Sequence, residues 1–182
     1  MRVDDHPAGG LGELGNKRFD KITVQEIAEQ ANVGRSTYYA HFEDKEDLIV
    51  ESVRMMLADL EAATTAPERT ARLYPTLALF QHVEAHIELY EMLARGRALN
   101  LFVEALHTEL AADLRDRLEA RVAPGEKPAV PLHVLAPIVA SMLVTTIRIW
   151  VEDGKREHAE AIDRHFQTVA GPSMRAGLRT AS

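Results

Sequence analysis

From Thr23 almost to the C-terminus, apolar residues recur three and four positions apart, and nowhere does the chain sustain an alternation of period two. A helix buries every third or fourth residue and a half-buried strand every second one, so this spacing confines the chain to helices packed on helices. The expected fold is all-α. Breaks in the pattern fall near Thr64–Pro75, at Arg95–Arg97 around Gly96, at Ala123–Pro131 and around Gly154. They divide the chain into about seven helices. Four of these are expected at Thr76–Ala94, Ala98–Val122, Leu132–Asp153 and Glu157–Val169, with the tail Gly171–Ser182 fraying. A long helix, Asp44–Ala63, buries Leu48, Ile49, Val53, Met56, Leu57 and Leu60 and bridges the two ends of the molecule. Before Thr23 the pattern fails. Pro7 and the glycines at 9, 10, 12 and 15 disfavour a stable helix, so residues 1–8 are expected to be disordered and any first helix short or irregular.

The 182 residues include 46% hydrophobic and 27% charged side chains, an ordinary globular balance that can bury a core. The net charge of -7 argues against coating nucleic acid or membranes through bulk positive charge, though it leaves room for a local patch. Without cysteine there is no disulfide, thiolate metal site or thiol nucleophile; with no secretory signal at the start, the expected location is cytoplasmic. Leu132–Val151 approaches the length of a membrane span, yet Pro137, His133, Arg148 and the Thr145–Thr146 pair interrupt it. A buried helix of a bundle accounts for the same apolarity, and no membrane association is expected.

The most specific stretch is Ile22–Leu48, ITVQEIAEQANVGRSTYYAHFEDKEDL, a helix, a three-residue turn and a second helix. Thr23 and Glu26 have the spacing of a capping box and mark the first helix start. Val24, Ile27, Ala28 and Ala31 form its inward stripe, and the small Ala28 lets a second helix cross closely. Asn32 stands where the chain reverses and tolerates the left-handed conformation. Val33 is expected to plug the turn into the core. In the second helix Tyr38 and Phe42, four apart, point inward. Arg35, Ser36 and Tyr39 then share an exposed face, with Thr37, His41 and Lys45 along its flank. Donors so placed suit base edges and phosphates respectively: Arg pairs bidentately with guanine, Ser and Thr bond several edges, and Tyr meets a thymine methyl or a phosphate oxygen. The helix starting near Asp44 is expected to add backbone N–H groups for another phosphate. Between Gly15 and Lys45, Lys17, Arg18, Lys21, Arg35 and Lys45 are balanced by Asp20, Glu26, Glu29, Glu43 and Asp44. Non-specific binding should be weak, and specific binding should need a dimer that supplies its phosphate contacts twice.

Ile22–Leu48 resembles the DNA-binding module of the tetracycline-repressor (TetR) family, in T-V-x-x-I-A from Thr23, S-T-Y-Y-x-H-F from Ser36 and K-E-D-L from Lys45. Ala78–Leu93 and Thr145–Gly154 look more weakly like segments of the family's C-terminal domain. The resemblance implies an N-terminal helix-turn-helix DNA-binding domain over residues 1–48. It implies a helical effector-binding and dimerisation domain over residues 49–182. Carried over by position, Arg35, Ser36, Thr37 and Tyr39 would face a near-palindromic double-stranded operator. His41 and Lys45 would lie on phosphate, Thr23 would touch phosphate at its helix start, and Tyr38 would support the core. The expected function is a transcriptional repressor, a homodimer released from its operator by an unknown small-molecule effector. Two departures stand out. Gly34 replaces the usual capping Ser, at a cost of about a few tenths of a kcal/mol. The family's apolar first helix is here the Gly-rich GGLGELGNKRF, with only Leu11, Leu14 and Phe19 to pack beneath the reader. That motivates the alternative, a TetR-like dimeric adaptor or coactivator that has lost DNA binding.

The remaining constellations are less specific. His82 and His86 lie four apart with Glu84 and Glu88 nearby, but a third ligand at a defined spacing is lacking, so no metal and no cofactor is expected. Phe80, Tyr90, Phe102, Met142 and Trp150, with Arg148 as a polar anchor, are spaced either to line a cavity or to pack as ordinary core. The family resemblance is what suggests an effector pocket among them. Ile138, Met142, Thr145 and Ile149 on one helix, with Ile162, Phe166 and Val169 on the next, are expected to form half of a two-fold four-helix interface. No Ser–His–Asp set, carboxylate pair or phosphate loop stands out, and no enzyme is expected.

Overall fold

In the computed structural model the described residues are 19–30, 32–63, 74–94, 98–154 and 157–179. Leu11, Leu14 and the rest of the Gly-rich segment, and the expected disorder of residues 1–8, lie outside them. A 3-10 turn, Phe19–Lys21, leads into α1 (Val24–Gln30), α2 (Arg35–His41) and α3 (Lys45–Ala63). Then come α4 (Thr76–Ala85), α5 (Ile87–Ala94), α6 (Ala98–Glu119), α7 (Leu132–Glu152) and α8 (Ala159–Leu178). Among the described residues there is no strand, as the period-three-and-four pattern requires.

The most extensive helix pairing is α6 on α7; α3 also packs on α6, and α8 on α4 and α7. Leu106, Leu110, Leu114 and Leu118 place one buried residue every four along α6. On α7 the buried side alternates large with small, Leu135, Ala136, Val139, Ala140 and Leu143, so a neighbouring helix can lie close. The apolar segment at 132–151 lies in α7 of this bundle. It is long and apolar enough to cross a membrane, but nine of its residues are buried inside the bundle. The buried set is continuous from Ile22 and Tyr38 through Leu48, Ile49, Val53 and Met56 of α3 to Phe80, Trp150 and Phe166.

Two ion-pair groups tie α3 to α6. Arg54 bonds Glu109 at 2.7 Å and Glu51 at 2.5 Å. Arg117 bonds Glu61 and, at 3.1 Å, Asp113, with its guanidinium 5.2 Å from the centre of the Tyr74 ring. Several boundaries differ from expectation; α6, for one, ends at Glu119 rather than Val122. The helix expected over Thr76–Ala94 breaks at His86 (φ -117°, ψ 31°), whose ring Nδ1 lies 2.9 Å from the His82 carbonyl oxygen. The last helix begins two residues late, at Ala159. As far as Arg179 its tail does not fray either. α8 runs through Pro172 to Leu178 because Ala170, Gly171 and Gly177 are buried, and because the Gly177 and Arg179 carbonyls accept from Val130 and Ala129 N–H at 3.0 and 2.8 Å. Satisfied C-terminal carbonyls and a buried face remove the reason for fraying.

Candidate nucleic-acid interface and effector cleft

The first reading helix starts as its capping box dictates: Thr23 N–H donates to Glu26 Oε2 at 2.9 Å, and Glu26 N–H donates to Thr23 Oγ1 at 3.2 Å. It ends in a Schellman motif. Asn32 takes φ +53°, its N–H bonds the Glu29 carbonyl at 3.0 Å, and Val33 N–H bonds the Ala28 carbonyl at 2.9 Å. That motif corrects the expectation for Val33. Its backbone closes the turn while its side chain stays 40% exposed, outside the core. Ile27 and Ala28 are buried, Val24 is half-buried, and the side chain of Ala31 lies outside the described residues.

In α2, Tyr38 is buried and Phe42 packs on the core, their rings 5.2 Å apart. Tyr38 Oη donates to the Asp44 carbonyl at 2.9 Å, fastening α2 to the start of α3. Burial, then Asp44, raises its hydroxyl pKa to about 12, so it remains a donor throughout the physiological range. With Tyr38 fixed inward, Arg35, Ser36, Thr37, Tyr39 and His41 all lie exposed, Tyr39 at 53%. They occupy a seven-residue helix capped by Gly34, which makes no side-chain cap bond. Thr23, also exposed, keeps its hydroxyl 3.0 Å from Glu26 Oε2.

Two expected phosphate contacts meet obstacles in the structure. Lys45 turns inward: its Nζ donates to the carbonyls of Phe19 at 3.1 Å and Ile22 at 3.2 Å and sits 5.1 Å from the Phe19 ring centre. It braces the segment before α1 against α3. At the start of α3 the phosphate seat is already taken, because Asp47 N–H donates to Asp44 Oδ1 at 2.7 Å and Glu43 N–H to Asp47 Oδ2 at 3.1 Å. The helix start is capped by carboxylates, and their charge opposes a phosphate there.

The residues expected around an effector separate into three groups. Phe80 and Trp150 are edge-to-face core partners, ring centres 5.9 Å apart, and Phe80 also meets Phe166 at 6.3 Å. Tyr90, Phe102 and Arg148 do come together, lining a cleft between α5, α6 and α7 with an enclosed volume of about 20 Å³. Its wall is otherwise Leu99, Val103, Leu106, Val144, Ile147 and Val151, with Glu152 at the mouth 3.5 Å from Arg148. Met142 is half-buried elsewhere on α7 and does not border this cleft. The aliphatic wall was not legible as a site, since Leu and Val at helical spacing are indistinguishable from core. Glu152, four residues after Arg148, was the available signal.

Of the expected interface residues, Ile138 and Ile149 are 49% and 58% exposed, Val169 is 60% exposed, Thr145 is exposed and Met142 half-buried. Val134, 40% exposed and one turn before Ile138, extends the same stripe. Ile162 and Phe166 are corrected to core: both are under 9% exposed, and Phe166 meets Phe80. Phe166 thus faces Phe80 on α4. His82 and His86 stack with ring centres 4.3 Å apart, and among the described residues no three metal-ligating side chains gather.

Residues 11–51 match the model of the bacterial regulatory proteins of the tetR family. The match covers the segment that holds the helix-turn-helix, and the fold of the described residues is that of solved TetR-type regulators. The "Dihydroxyacetone kinase operon activator DhaS" superposes over 97% of this chain and 99% of its own with a TM-score of 0.65 at 14% identity. A TetR transcriptional regulator from Streptococcus agalactiae covers 91% of both chains with a TM-score of 0.58 at 23% identity. The transcriptional regulator FadR from Bacillus subtilis, solved with stearoyl-CoA, covers 97% of this chain and 98% of its own with a TM-score of 0.51 at 15% identity. At these identities the likeness is one of fold. No curated protein matches the chain in sequence. The matched residues 11–51 include α1 and α2, which form the helix-turn-helix.

Proposed function

We propose that this chain is a DNA-binding regulator of the tetR type, a cytoplasmic homodimeric repressor of a near-palindromic operator, released by a small molecule that enters the α5–α6–α7 cleft. Arg35, Ser36 and Tyr39 read base edges, while Thr37, His41 and Thr23 contact phosphates; Lys45 supports the reader from within. The observation that carries the dimer is the apolar stripe at helical spacing on α7, Val134, Ile138, Met142, Thr145 and Ile149, together with the exposed Val169 on α8. Contiguous exposed apolar surface of this kind marks an interface. A two-fold pairing across it sets two recognition helices on one DNA face, as palindromes require.

The near-neutral reading module makes this pairing necessary for affinity, because one module offers few phosphate contacts. Repression needs nothing more than occupancy of the operator. DhaS is described as an activator, so the sign of regulation depends on where the operator lies. The stearoyl-CoA bound to FadR carries a long apolar acyl chain, which supports an effector with an apolar part in this fold. A ligand that favours a dimer with wrongly spaced readers weakens DNA binding through a coupling of about 1–3 kcal/mol, and DNA weakens the ligand equally. The stripe is tested by Ile138→Asp with Ile149→Asp. Sedimentation should show monomers that keep their helical content but lose a selected palindromic fragment; a dimer that persists in the variant removes the stripe from the interface.

A further inference from the structure

Tyr90 belongs to two surroundings at once. Its ring borders the cleft, held edge-to-face by Phe102 with centres 5.2 Å apart and by His82 at 6.5 Å. Its hydroxyl donates to Met56 Sδ at 3.5 Å. Met56 lies on α3, the helix whose first turns, through Leu48 and Ile49, belong to the core beneath the reader. Tyr90 and Met56 are 3% and 5% exposed, so water does not compete for this bond. A thioether is a weak acceptor, and a buried hydroxyl ordinarily finds an oxygen or nitrogen. Burial also holds the hydroxyl far above its usual pKa, so it remains a donor. An oxygen brought into the cleft is therefore a better partner than the one Tyr90 has.

The cleft also states what kind of molecule brings it. Leu99, Phe102, Val103, Val144 and Ile147 are apolar, and the two charged groups at the mouth, Arg148 and Glu152, already pair with each other. A body without net charge suits such walls. At about 20 Å³ the enclosed space holds a water and little else, so entry displaces wall side chains; Leu99 and Val103, both only half-buried on α6, are the ones with room to move.

Resting on the effector reading above, we propose that the cleft takes an uncharged, largely apolar molecule carrying a carbonyl oxygen, and that Tyr90 transmits its arrival by exchanging Met56 Sδ for that oxygen. The exchange removes a contact between the cleft and α3 that exists only in the empty protein. Whatever that contact contributes to the DNA-competent position of α3 is lost when the ligand binds, which is a coupling in the thermodynamic sense.

The probe is prodan, an uncharged naphthyl ketone, titrated by its own fluorescence against the full chain, with and without a fragment recovered by genomic selection. In the wild type, prodan should lower DNA affinity by at least about fivefold. Met56→Leu keeps the volume and removes the acceptor. It should bind prodan as tightly as wild type or more tightly, because no bond to Met56 has to be surrendered, yet the effect of prodan on DNA should fall below twofold. Tyr90→Phe should bind prodan roughly two- to tenfold more weakly and likewise lose the effect on DNA. A merely structural Met56 would not tighten the ligand while uncoupling it. Full coupling in both variants overturns the role of Tyr90 and leaves the effector cleft standing. Wild type that binds prodan without any change in DNA affinity overturns both, and wild type that binds no prodan overturns the assigned ligand class.

Discussion

Phe80 is the side chain whose removal should injure the fold most while leaving the reader untouched. It is fully buried and meets the edges of Trp150 and Phe166 at 5.9 and 6.3 Å. Phe80→Ala removes a benzyl-sized volume from a close-packed centre, a change that costs about 3–5 kcal/mol through lost transfer energy and the residual cavity. Two aromatic contacts, each worth about 0.5–1.5 kcal/mol beyond area, place this site at the upper end of that range. Against a total stability of about 5–15 kcal/mol, the loss is a large fraction. For a chain of this length it corresponds to a fall of roughly 8–20 °C in Tm. Trp150, the single tryptophan, reports on this spot in urea denaturation, with far-UV circular dichroism as a second probe. Phe80→Leu, which keeps much of the volume without ring edges, should fall between. A loss below about 1.5 kcal/mol in Phe80→Ala, accompanied by altered ligand binding, would refute the core assignment and return Phe80 to a ligand wall.

Two substitutions in the reader separate support from contact. Gly34→Ser supplies the cap that α2 lacks; at φ -71° and ψ 150° its Cβ would lie 3.7 Å from Ser36 Oγ and 3.8 Å from Thr37 Oγ1, an ordinary fit. It should raise stability by about a few tenths of a kcal/mol, and unchanged or lower stability in denaturation contradicts the capping geometry. Lys45→Met keeps the stem but loses two bonds to backbone carbonyls. It should cost about 1–2 kcal/mol of stability, discounted for the half-exposed site, and leave the salt dependence of DNA binding unchanged. A salt slope reduced by about one per reader would instead make Lys45 a phosphate ligand.

The helical content, the reader and the boundaries of α3 and α7 were legible because each rests on local rules. A capping box, an Asn at the reversal and a 3.6-residue period are written within a few residues. What escaped was set by partners distant in sequence. Val33 was expected inside because it is apolar, but the turn used its backbone. Lys45 was expected outside because it is charged, but carbonyls 23 and 26 residues away were left for it by the turn before α1. Ile162, Phe166, Phe80 and Trp150 follow the same helical period whether they face a partner subunit, a ligand or the core. Only the packing of α8 against α4 and α7 decided among these. The tail is expected to fray as chain ends do, whereas burial and two long-range carbonyl bonds keep α8 continuous to Leu178.

The central claim is that the face carried by Arg35, Ser36 and Tyr39 recognises a particular DNA sequence. It is tested most directly by incubating the purified full chain with genomic fragments at low salt, sequencing what is retained, and measuring the affinity of the recovered sequence by fluorescence anisotropy. A near-palindromic site that wild type holds in preference to unrelated DNA is expected, with the preference abolished in Arg35→Ala and in Tyr39→Ala while both variants keep the thermal stability of the wild type. Recovery of no preferred sequence, or variants that hold the recovered site as wild type does, would contradict it.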